Sequence, residues 1–281
     1  MDVVPQLVHN TYFTHPKIKE FYYVGNLELL KLPKICVIGS RKMSQYGKLI
    51  VENFVSSLQG LNIATVSGFV EGVDFECFYQ SAKMGIPTIA VLGYGFNFLN
   101  KDLIKKVGEI NLENCLFISE FSNDLAPKIY TFPTRDETLA YISDIILVVE
   151  ASEKSGTFYT VKRAFKENKK VYAAGGSIFS PLCKGNYFLL KKGFGKQKAN
   201  LYTEPNDILQ NFHQVSDAQI VKKELSEIEL KIITSISTSP CNFDEICKLI
   251  NINSSELLTT LTELELKEEV IYKNGIYYKT I

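Results

Sequence analysis

The chain has 281 residues, of which 46% are hydrophobic and 22% are charged. This composition excludes a disordered or collagen-like chain, and the length suits one large domain with a smaller addition. Basic and acidic residues balance at 31 each, so any affinity for nucleic acid must come from local clusters of cations. The sequence has no apolar run of membrane-spanning length and no basic-then-apolar N-terminus. We therefore predict neither a membrane span nor a signal peptide.

Short apolar runs rich in Val and Ile predict strands. They span residues 34–40, 62–68, 87–93, 115–120, 144–150, 169–175 and 200–204. Their hydrophobicity is continuous rather than alternating, which is typical of strands that are buried on both faces. Amphipathic stretches between them predict helices at 44–59, 71–84, 101–111, about 135–142, 156–167 and about 185–193. This alternation predicts an α/β fold with a doubly wound, mostly parallel sheet.

The character of the chain changes near residue 213. A polar stretch is followed by three helical patterns and by two short β runs around Asn274-Gly275, which together predict a winged helix. We divide the chain into an N-terminal extension packed on the core (1–33), an α/β domain (34–212), a linker (213–224) and a winged-helix domain (225–281).

Charge is distributed unevenly along the chain. Residues 162–198 carry ten Lys or Arg and a single acid, whereas residues 214–281 carry seven Lys and eleven Asp or Glu. The candidate recognition helix, residues 254–267, has Glu256, Glu263 and Glu265 against Lys267 alone. We expect it not to read duplex DNA, because a recognition helix needs cations for the flanking phosphates.

Histidine and cysteine narrow the chemistry further. The three histidines, His9, His15 and His213, stand beside no candidate nucleophile and in no metal-ligand spacing. The six cysteines form no C-x-x-C pair and lie in part in apolar runs. We expect reduced thiols in a cytoplasmic protein, with no metal site.

Glycine turns follow several of the predicted strands. In an open parallel sheet, ligands bind beyond the carboxyl ends of the strands, where helix N-termini offer unpaired N–H groups. The turn Gly39-Ser40-Arg41-Lys42 could hold a phosphate through these N–H groups and the Arg41 guanidinium. A plain βα turn explains the same residues. In the turn after the next strand, Asp74 is more simply a helix-capping or ion-pairing residue.

Residues 128–135 are predicted to form a proline-flanked loop that combines two cations with two aromatic rings. Lys128 and Arg135 could contact phosphates while Phe132 stacks on a base, which is what single-stranded nucleic acid requires. Phe132 could equally be a core residue. A further small-residue turn, Ser155-Gly156-Thr157, leads into a predicted helix.

The order of these motifs resembles the DNA-processing protein A (DprA/Smf) family. The resemblance is carried by FYYVGN (21–26), GSRK-x-x-x-YG (39–47), VSGFVEGVD (66–74), TIAVLGYG (88–95), ISE (118–120), FPTR (132–135), VVEASEKSGT (148–157) and the GN of KGNYFLLKKG (184–193). It covers roughly residues 15–212, and a terminal winged helix is a common addition in this family.

The resemblance implies a Rossmann-like domain that binds single-stranded DNA and helps load the RecA recombinase in natural transformation. It also implies a homodimer without cofactor or catalytic chemistry. The residues that match, and that it marks as DNA contacts, are Arg41, Lys128, Phe132 and Arg135. Two positions depart from the family pattern: Phe78 replaces a histidine, and Glu137 replaces an arginine.

Two other functions stay open at this point. One is a nucleotide-cleaving phosphoribohydrolase, but the P-G-G-x-G-T-x-x-E motif of such enzymes is only partly approached by Ala174-Gly175-Gly176-Ser177. The other is a nucleotide-binding module without affinity for DNA.

Overall fold

The computed structural model describes residues 4–108, 110–212, 226–238, 240–250, 252–266, 270–273 and 275–279. The chain forms two compact units, Met1–Ala218 and Gln219–Ile281. The predicted linker 213–224, with His213, lies outside the described residues, as do Lys267 and Asn274 of the winged helix.

A nine-stranded sheet forms the first unit, in the order β1-β2-β6-β5-β4-β3-β7-β8-β9. Its strands are β1 (Gln6–His9), β2 (Glu20–Gly25), β3 (Lys34–Ile38), β4 (Ala64–Ser67), β5 (Thr88–Val91), β6 (Cys115–Ser119), β7 (Ile145–Val148), β8 (Lys170–Ala174) and β9 (Asn200–Tyr202). From β3 to β9 all pairs are parallel. The predicted α/β fold and each of its strands are confirmed.

Helices connect the parallel strands. They are α1 (Gln45–Ser56), α2 (Val73–Lys83), α3 (Lys101–Val107), α4 (Thr131–Ile142), α5 (Thr157–Lys166), α6 (Lys184–Lys191) and the short α7 (Asn206–Leu209). Strands β3, β4, β5 and β7 are buried along their whole length. This explains why their hydrophobicity is continuous, since a parallel sheet is covered on both faces.

The N-terminal segment extends this sheet, which the sequence patterns did not predict. Strand β2 pairs antiparallel with β6, and β1 pairs antiparallel with β2. Phe21 of β2 is buried in the core beside Leu29 and Leu30. Between β2 and β3, a 3-10 helix (Leu27–Lys31) is capped by the side chain of Asn26.

The second unit contains α8 (Glu227–Thr238), β10 (Cys241–Asn242), α9 (Phe243–Ile250), α10 (Ser254–Leu266), β11 (Val270–Lys273) and β12 (Ile276–Lys279). Strands β10, β12 and β11 form a small antiparallel sheet, so the predicted winged helix is confirmed. At the start of α9, Asn242 and Glu245 exchange backbone and side-chain hydrogen bonds, both 2.9 Å long, in a capping box. None of the described helices has both the length and the apolar character that a membrane span requires.

Candidate nucleic-acid interface

The topology places the glycine turns together. Strand β3 lies between β4 and β7, so the turns that leave β3 and β7 diverge at a topological switch point of the sheet. A cleft of about 280 Å³ opens there, lined by residues that include Ser40, Arg41, Asp136, Ser155 and Thr157. Mostly polar side chains therefore surround the position where ligands bind in open α/β sheets.

The β3–α1 turn, residues 39–44, is held in place by a buried carboxylate. Glu150, which follows β7, accepts a hydrogen bond from the Ser44 N–H at 2.9 Å and another from the Ser44 hydroxyl at 2.5 Å. Ser44 also caps α1 by accepting from the N–H of Gly47 at 3.1 Å. The turn is thus rigid at its base, while the side chains of Arg41 and Lys42 are exposed to solvent.

Several backbone N–H groups of this turn already have partners within the protein. Gly39 N–H donates to Asp74 at 3.3 Å, and Lys42 N–H donates to the Ser40 hydroxyl at 3.0 Å. The N–H groups of Ser40 and Arg41 make no hydrogen bond within the described part of the chain. A phosphate held at this turn would therefore meet two N–H groups and the Arg41 side chain, rather than the whole of residues 39–42.

The β4–α2 turn, residues 68–72, leads into α2, where Asp74 is buried. Asp74 accepts hydrogen bonds from Gly68 N–H at 2.8 Å and from Gly39 N–H, and so links the ends of β4 and β3. Burial raises the pKa of Asp74 to about 6, although Arg135 and these backbone hydrogen bonds act in the opposite direction. At Gly72, φ is +93° and a Cβ would lie 2.1 Å from the carbonyl oxygen of Ser40, so only glycine fits.

Arg135 lies beside this buried carboxylate and is only 3% exposed. Its guanidinium donates to the carbonyls of Gly68 and Val91, and to Asp136 at 3.0 Å. These three bonds use the Nε and Nη1 atoms of the guanidinium and hold the side chain against the protein. Arg135 nonetheless lines the cleft, so a DNA contact at Arg135 stays a prediction, as it does at the exposed Lys128.

The stretch 128–135 was expected to be a loop, but α4 begins within it at Thr131. The hydroxyl of Thr131 donates to the Lys128 carbonyl at 2.8 Å and accepts from the Lys128 N–H at 3.2 Å, which closes the turn before the helix. Pro133 is tolerated because N–H groups in the first helical turn have no partner within the helix.

The surroundings of Phe132 fit in part each of the two roles that the sequence left open, a core residue and a ring that stacks on a base. It is half-buried against the cluster that contains Phe69 and Leu92, and the Arg41 guanidinium lies 5.2 Å from the centre of its ring. This distance is typical of a cation–π pair. Next to it, Lys128 Nζ lies 5.9 Å from the ring centre of the exposed Tyr130. Each of these aromatic rings is thus accompanied by a cation.

Both departures from the family pattern are accommodated by the structure. Phe78 is fully buried and packs on Phe69 and Phe117, with ring centres 4.9 and 5.0 Å apart. Glu137 accepts from Arg163 at 3.0 Å, and that guanidinium also lies over Tyr141. The anion introduced at residue 137 is therefore paired with a cation of the chain itself.

Sequence reasoning missed two positioning residues. Glu150 lies within the motif at residues 148–157, to which the sequence assigned no role for it, yet it anchors the β3–α1 turn. Asn186 of α6 donates to the carbonyls of Val148, Val149 and Ala174, and so ties the ends of β7 and β8 together. A polar residue directly after a fully apolar strand was the available signal for Glu150. The described residues contain no group of His, Cys, Asp and Glu arranged to hold a metal ion.

Comparison with known families agrees with this architecture. The family profile of DNA recombination-mediator protein A matches residues 5–213, and the profile of the DprA winged helix domain matches residues 218–271. The chain belongs to the DNA recombination-mediator protein A family. The resemblance recognised in the sequence is therefore confirmed.

Relatives in this family come from distant bacteria. The DNA processing protein DprA of Streptococcus pneumoniae is 33% identical over 191 residues, which cover 68% of this chain and 66% of that protein. Protein Smf of Escherichia coli is 29% identical over 286 residues, covering 98% of this chain and 74% of its own length. The chain thus spans just under two thirds of the pneumococcal relative.

Two solved DprA structures share the fold. The pneumococcal structure has a TM-score of 0.65 and 30% identity, and the match covers 73% of this chain and 74% of that one. The Helicobacter pylori structure has a TM-score of 0.64 and 23% identity, covering 75% and 96%. The latter was described for the single-stranded DNA binding mode of that protein.

Proposed function

We propose that this member of the family is a recombination mediator that binds single-stranded DNA along the carboxyl edge of its sheet. In this proposal it protects incoming single strands and assists RecA loading during natural transformation. The family assignment supports the role of mediator, and the DNA-binding mode described for the Helicobacter pylori relative supports the ligand.

The observation that carries the proposal is the pairing of Arg41 with Phe132. Arg41 is exposed on a turn whose base is anchored by Glu150, so its guanidinium is positioned before any ligand arrives. Arg41 offers charge and bidentate hydrogen bonds to a phosphate, while the adjacent ring of Phe132 offers a face to a base. Lys128 and Tyr130 repeat the same combination on the neighbouring segment.

These contacts recognise a single strand without reading its sequence. Phosphate contacts carry no sequence information, and a stacking ring accepts any base at a gain of about 1–3 kcal/mol. Neutralising three or four phosphates gives a slope of log K against log salt of about −2 to −3, at roughly −0.7 for each contact on a single strand.

The test is the binding of fluorescently labelled oligo-dT, measured by anisotropy at two or more salt concentrations. We expect Arg41→Ala to weaken binding about tenfold at low salt and to make the slope less negative by about 0.7. Lys31→Ala is the matched control, because Lys31 is an exposed cation that pairs with Glu28 on a different part of the surface. A flat salt response, or equal losses in both variants, would contradict the phosphate contact at Arg41.

The mediator role needs a separate assay. We expect the protein to accelerate RecA filament formation on single-stranded DNA that is coated with single-strand-binding protein, and Arg41→Ala to reduce this effect. We further propose that the active form is a homodimer, which sedimentation can test.

Incubation with AMP or cytidine monophosphate should release no free base. Release of base would favour the phosphoribohydrolase alternative.

A further inference from the structure

The loop that joins β8 to α6, residues 175–183, exposes two large apolar side chains. Phe179 is 89% exposed and Ile178 is 69% exposed. The loop follows a parallel strand, so it lies at the same carboxyl edge of the sheet as the β3–α1 turn. None of its side chains has a role in the interface described above. Adjacent exposed apolar side chains of this size mark a binding surface more often than a structural need.

This loop is ordered by its own hydrogen bonds. Phe179 N–H donates to the Ser177 hydroxyl at 3.3 Å, and Ser180 N–H donates to the Ser177 carbonyl at 3.0 Å. Cys183 N–H then donates to the Ser180 carbonyl at 3.1 Å. These turns fix the backbone that carries Phe179 before a ligand binds, which reduces the entropy that binding must remove.

Tyrosines connect the base of the loop to the helix that follows the Arg41 turn. The hydroxyl of Tyr46, in the first turn of α1, donates to the Gly175 carbonyl at 3.2 Å. Tyr187 of α6 donates to the Gly176 carbonyl at 2.6 Å. The ring of Tyr46 is itself 48% exposed. Exposed aromatic surface therefore continues from the β3–α1 turn towards Phe179.

Lysines accompany these rings. Lys42 precedes α1, Lys184 directly follows the loop, and both are exposed. Lys191 Nζ lies 5.8 Å from the ring centre of Tyr187. Lysine is depleted in the cores of protein–protein interfaces, whereas rings interspersed with cations are the usual surface for single-stranded nucleic acid. The composition of this surface therefore favours a nucleic-acid strand over a protein partner.

We propose that the path of single-stranded DNA continues from Arg41 and Phe132 across the sheet edge to the β8–α6 loop, where Phe179 stacks on a base. This inference rests on the proposed function. Phe132 packs beside Gly93 after β5, and Phe179 follows β8. Between β5 and β8 lie four strand spacings, or about 19 Å at the usual 4.8 Å each. A strand of several nucleotides is needed to reach both rings.

Oligonucleotide length is the variable that tests this path. Phe179→Ala should weaken dT20 about fivefold or more, as the loss of one stacking contact implies, and should leave dT3, which is too short to reach both rings, unchanged. Arg41→Ala should weaken both lengths. Phe179→Tyr keeps an aromatic ring and should bind dT20 like the wild type. Because Phe179 is exposed, its replacement should not disturb folding, which thermal denaturation can verify.

The absence of tryptophan from the chain allows a direct measurement at the loop. The sequence contains no Trp and 15 Tyr, so Phe179→Trp introduces a single tryptophan at the proposed stacking position, which can be excited at wavelengths that tyrosine does not absorb. We expect dT20 to quench its emission at the concentrations that saturate binding. Leu7→Trp on β1 is the control, because Leu7 is also an exposed apolar residue, 53% accessible, on a distant strand.

The outcomes separate this inference from the proposed function. If the wild type binds neither oligonucleotide, the proposed function itself fails. If the wild type binds both and Phe179→Ala binds dT20 equally well, only the extended path is wrong. A change in self-association of Phe179→Ala by sedimentation, with dT20 affinity intact, would also overturn the path and assign the loop to a protein interface.

Discussion

Two turns at the carboxyl edge of the sheet use the same residue types in opposite ways. The β3–α1 turn presents Arg41 to solvent and is anchored from below by Glu150. At the neighbouring β4–α2 turn, Gly68 donates to the buried Asp74 of α2, and the buried Arg135 donates to the Gly68 carbonyl. One arginine is available to a ligand, and the other supports the backbone of the site.

The difference follows from hydrogen-bond satisfaction. Arg135 donates to two carbonyls and a carboxylate inside the protein, so its charge is compensated where it is. Arg41 packs its guanidinium on the face of Phe132 and donates no hydrogen bond within the described part of the chain, so it retains donors for an external anion. An arginine in a motif can thus bind DNA or position the residues that do.

We expect the largest effect for Arg135→Ala, which should lower the free energy of unfolding. This change leaves the largely buried Asp136 without its ion pair and the Gly68 and Val91 carbonyls without their donor, which typically costs about 3–5 kcal/mol. Urea denaturation should show a loss of this size. Arg163→Ala is the matched control, because its pairing with Glu137 is only partly buried and should contribute about 1 kcal/mol or less. A normally stable Arg135→Ala with lost DNA affinity would instead place Arg135 in the interface.

A smaller effect is expected for Glu150→Ala, which removes the anchor of the exposed turn. The Ser44 N–H and hydroxyl would lose their shared acceptor, at a cost of about 1–3 kcal/mol. Because the turn then becomes mobile, we also expect weaker binding of oligo-dT although no DNA-facing side chain has changed. Glu150→Gln retains one acceptor oxygen, so its stability and its affinity for oligo-dT should lie between those of the wild type and of Glu150→Ala. Wild-type affinity in a destabilised Glu150→Ala would show that the anchor serves only folding.

The contrast between the two arginines also shows how far sequence patterns reach. The strands were predictable because a parallel sheet requires continuous apolar runs, as in β3 and β7. Arg41 and Arg135 occupy motifs of equal clarity, and nothing in their local sequence distinguishes an exposed side chain from a buried one. Their difference depends on Asp74 and Gly68, which the fold brings to Arg135 from distant positions in the chain.

Elements at the edge of the sheet were harder to predict. Strand β1 is largely exposed, and β2 is only partly buried, so neither has the apolar run that identifies a central strand. The start of α4 was placed too late because Pro133 suggested a loop. A proline in the first turn of a helix is compatible with the helix. The hydrogen bonds that close the turn before α4 join Thr131 to Lys128, three residues away.

The buried carboxylates predict a pH dependence of DNA binding. The pKa of Asp74 is raised from 3.8 to about 6 by burial, so acidification from pH 8 to 5.5 protonates it in the folded protein. Removing this negative charge below the Arg41 turn should strengthen oligo-dT binding by about threefold to tenfold. The raised pKa also affects stability. The contribution of Asp74 to the free energy of unfolding falls as the pH rises from about 4 to 6, because in this range the folded chain binds the proton and the unfolded chain has lost it.

Asp74→Asn tests this dependence. The variant cannot carry the charge, so its affinity should vary less with pH than that of the wild type. Asp136→Asn is a useful companion, because burial also raises the pKa of Asp136 while Arg135 and Arg41 oppose the shift. Circular dichroism would verify that each variant is folded. An unchanged pH profile in both variants would assign the titration to other groups.

The winged-helix unit differs from both turns in its charge. Helix α10 carries Glu256, Glu263 and Glu265 on its exposed surface. Leu257, Leu261 and Leu264 of this helix belong to the small core, whereas Leu258 is exposed. An exposed leucine among carboxylates suits a protein partner better than the phosphates of a duplex.

The smallest effect is therefore expected from removing this unit. Truncation after Ala218 leaves the sheet, its hydrophobic clusters and the whole candidate interface in place. Because the removed residues are acidic in sum, oligo-dT affinity should stay unchanged or rise by no more than about threefold, an electrostatic effect that salt should diminish. Anisotropy titrations of the two proteins at low and high salt measure this directly. If the truncated protein folds but clearly loses affinity, the winged helix contributes to DNA binding despite its charge. DNA binding would then not be confined to the cationic edge of the sheet, and the acidic unit would share in it.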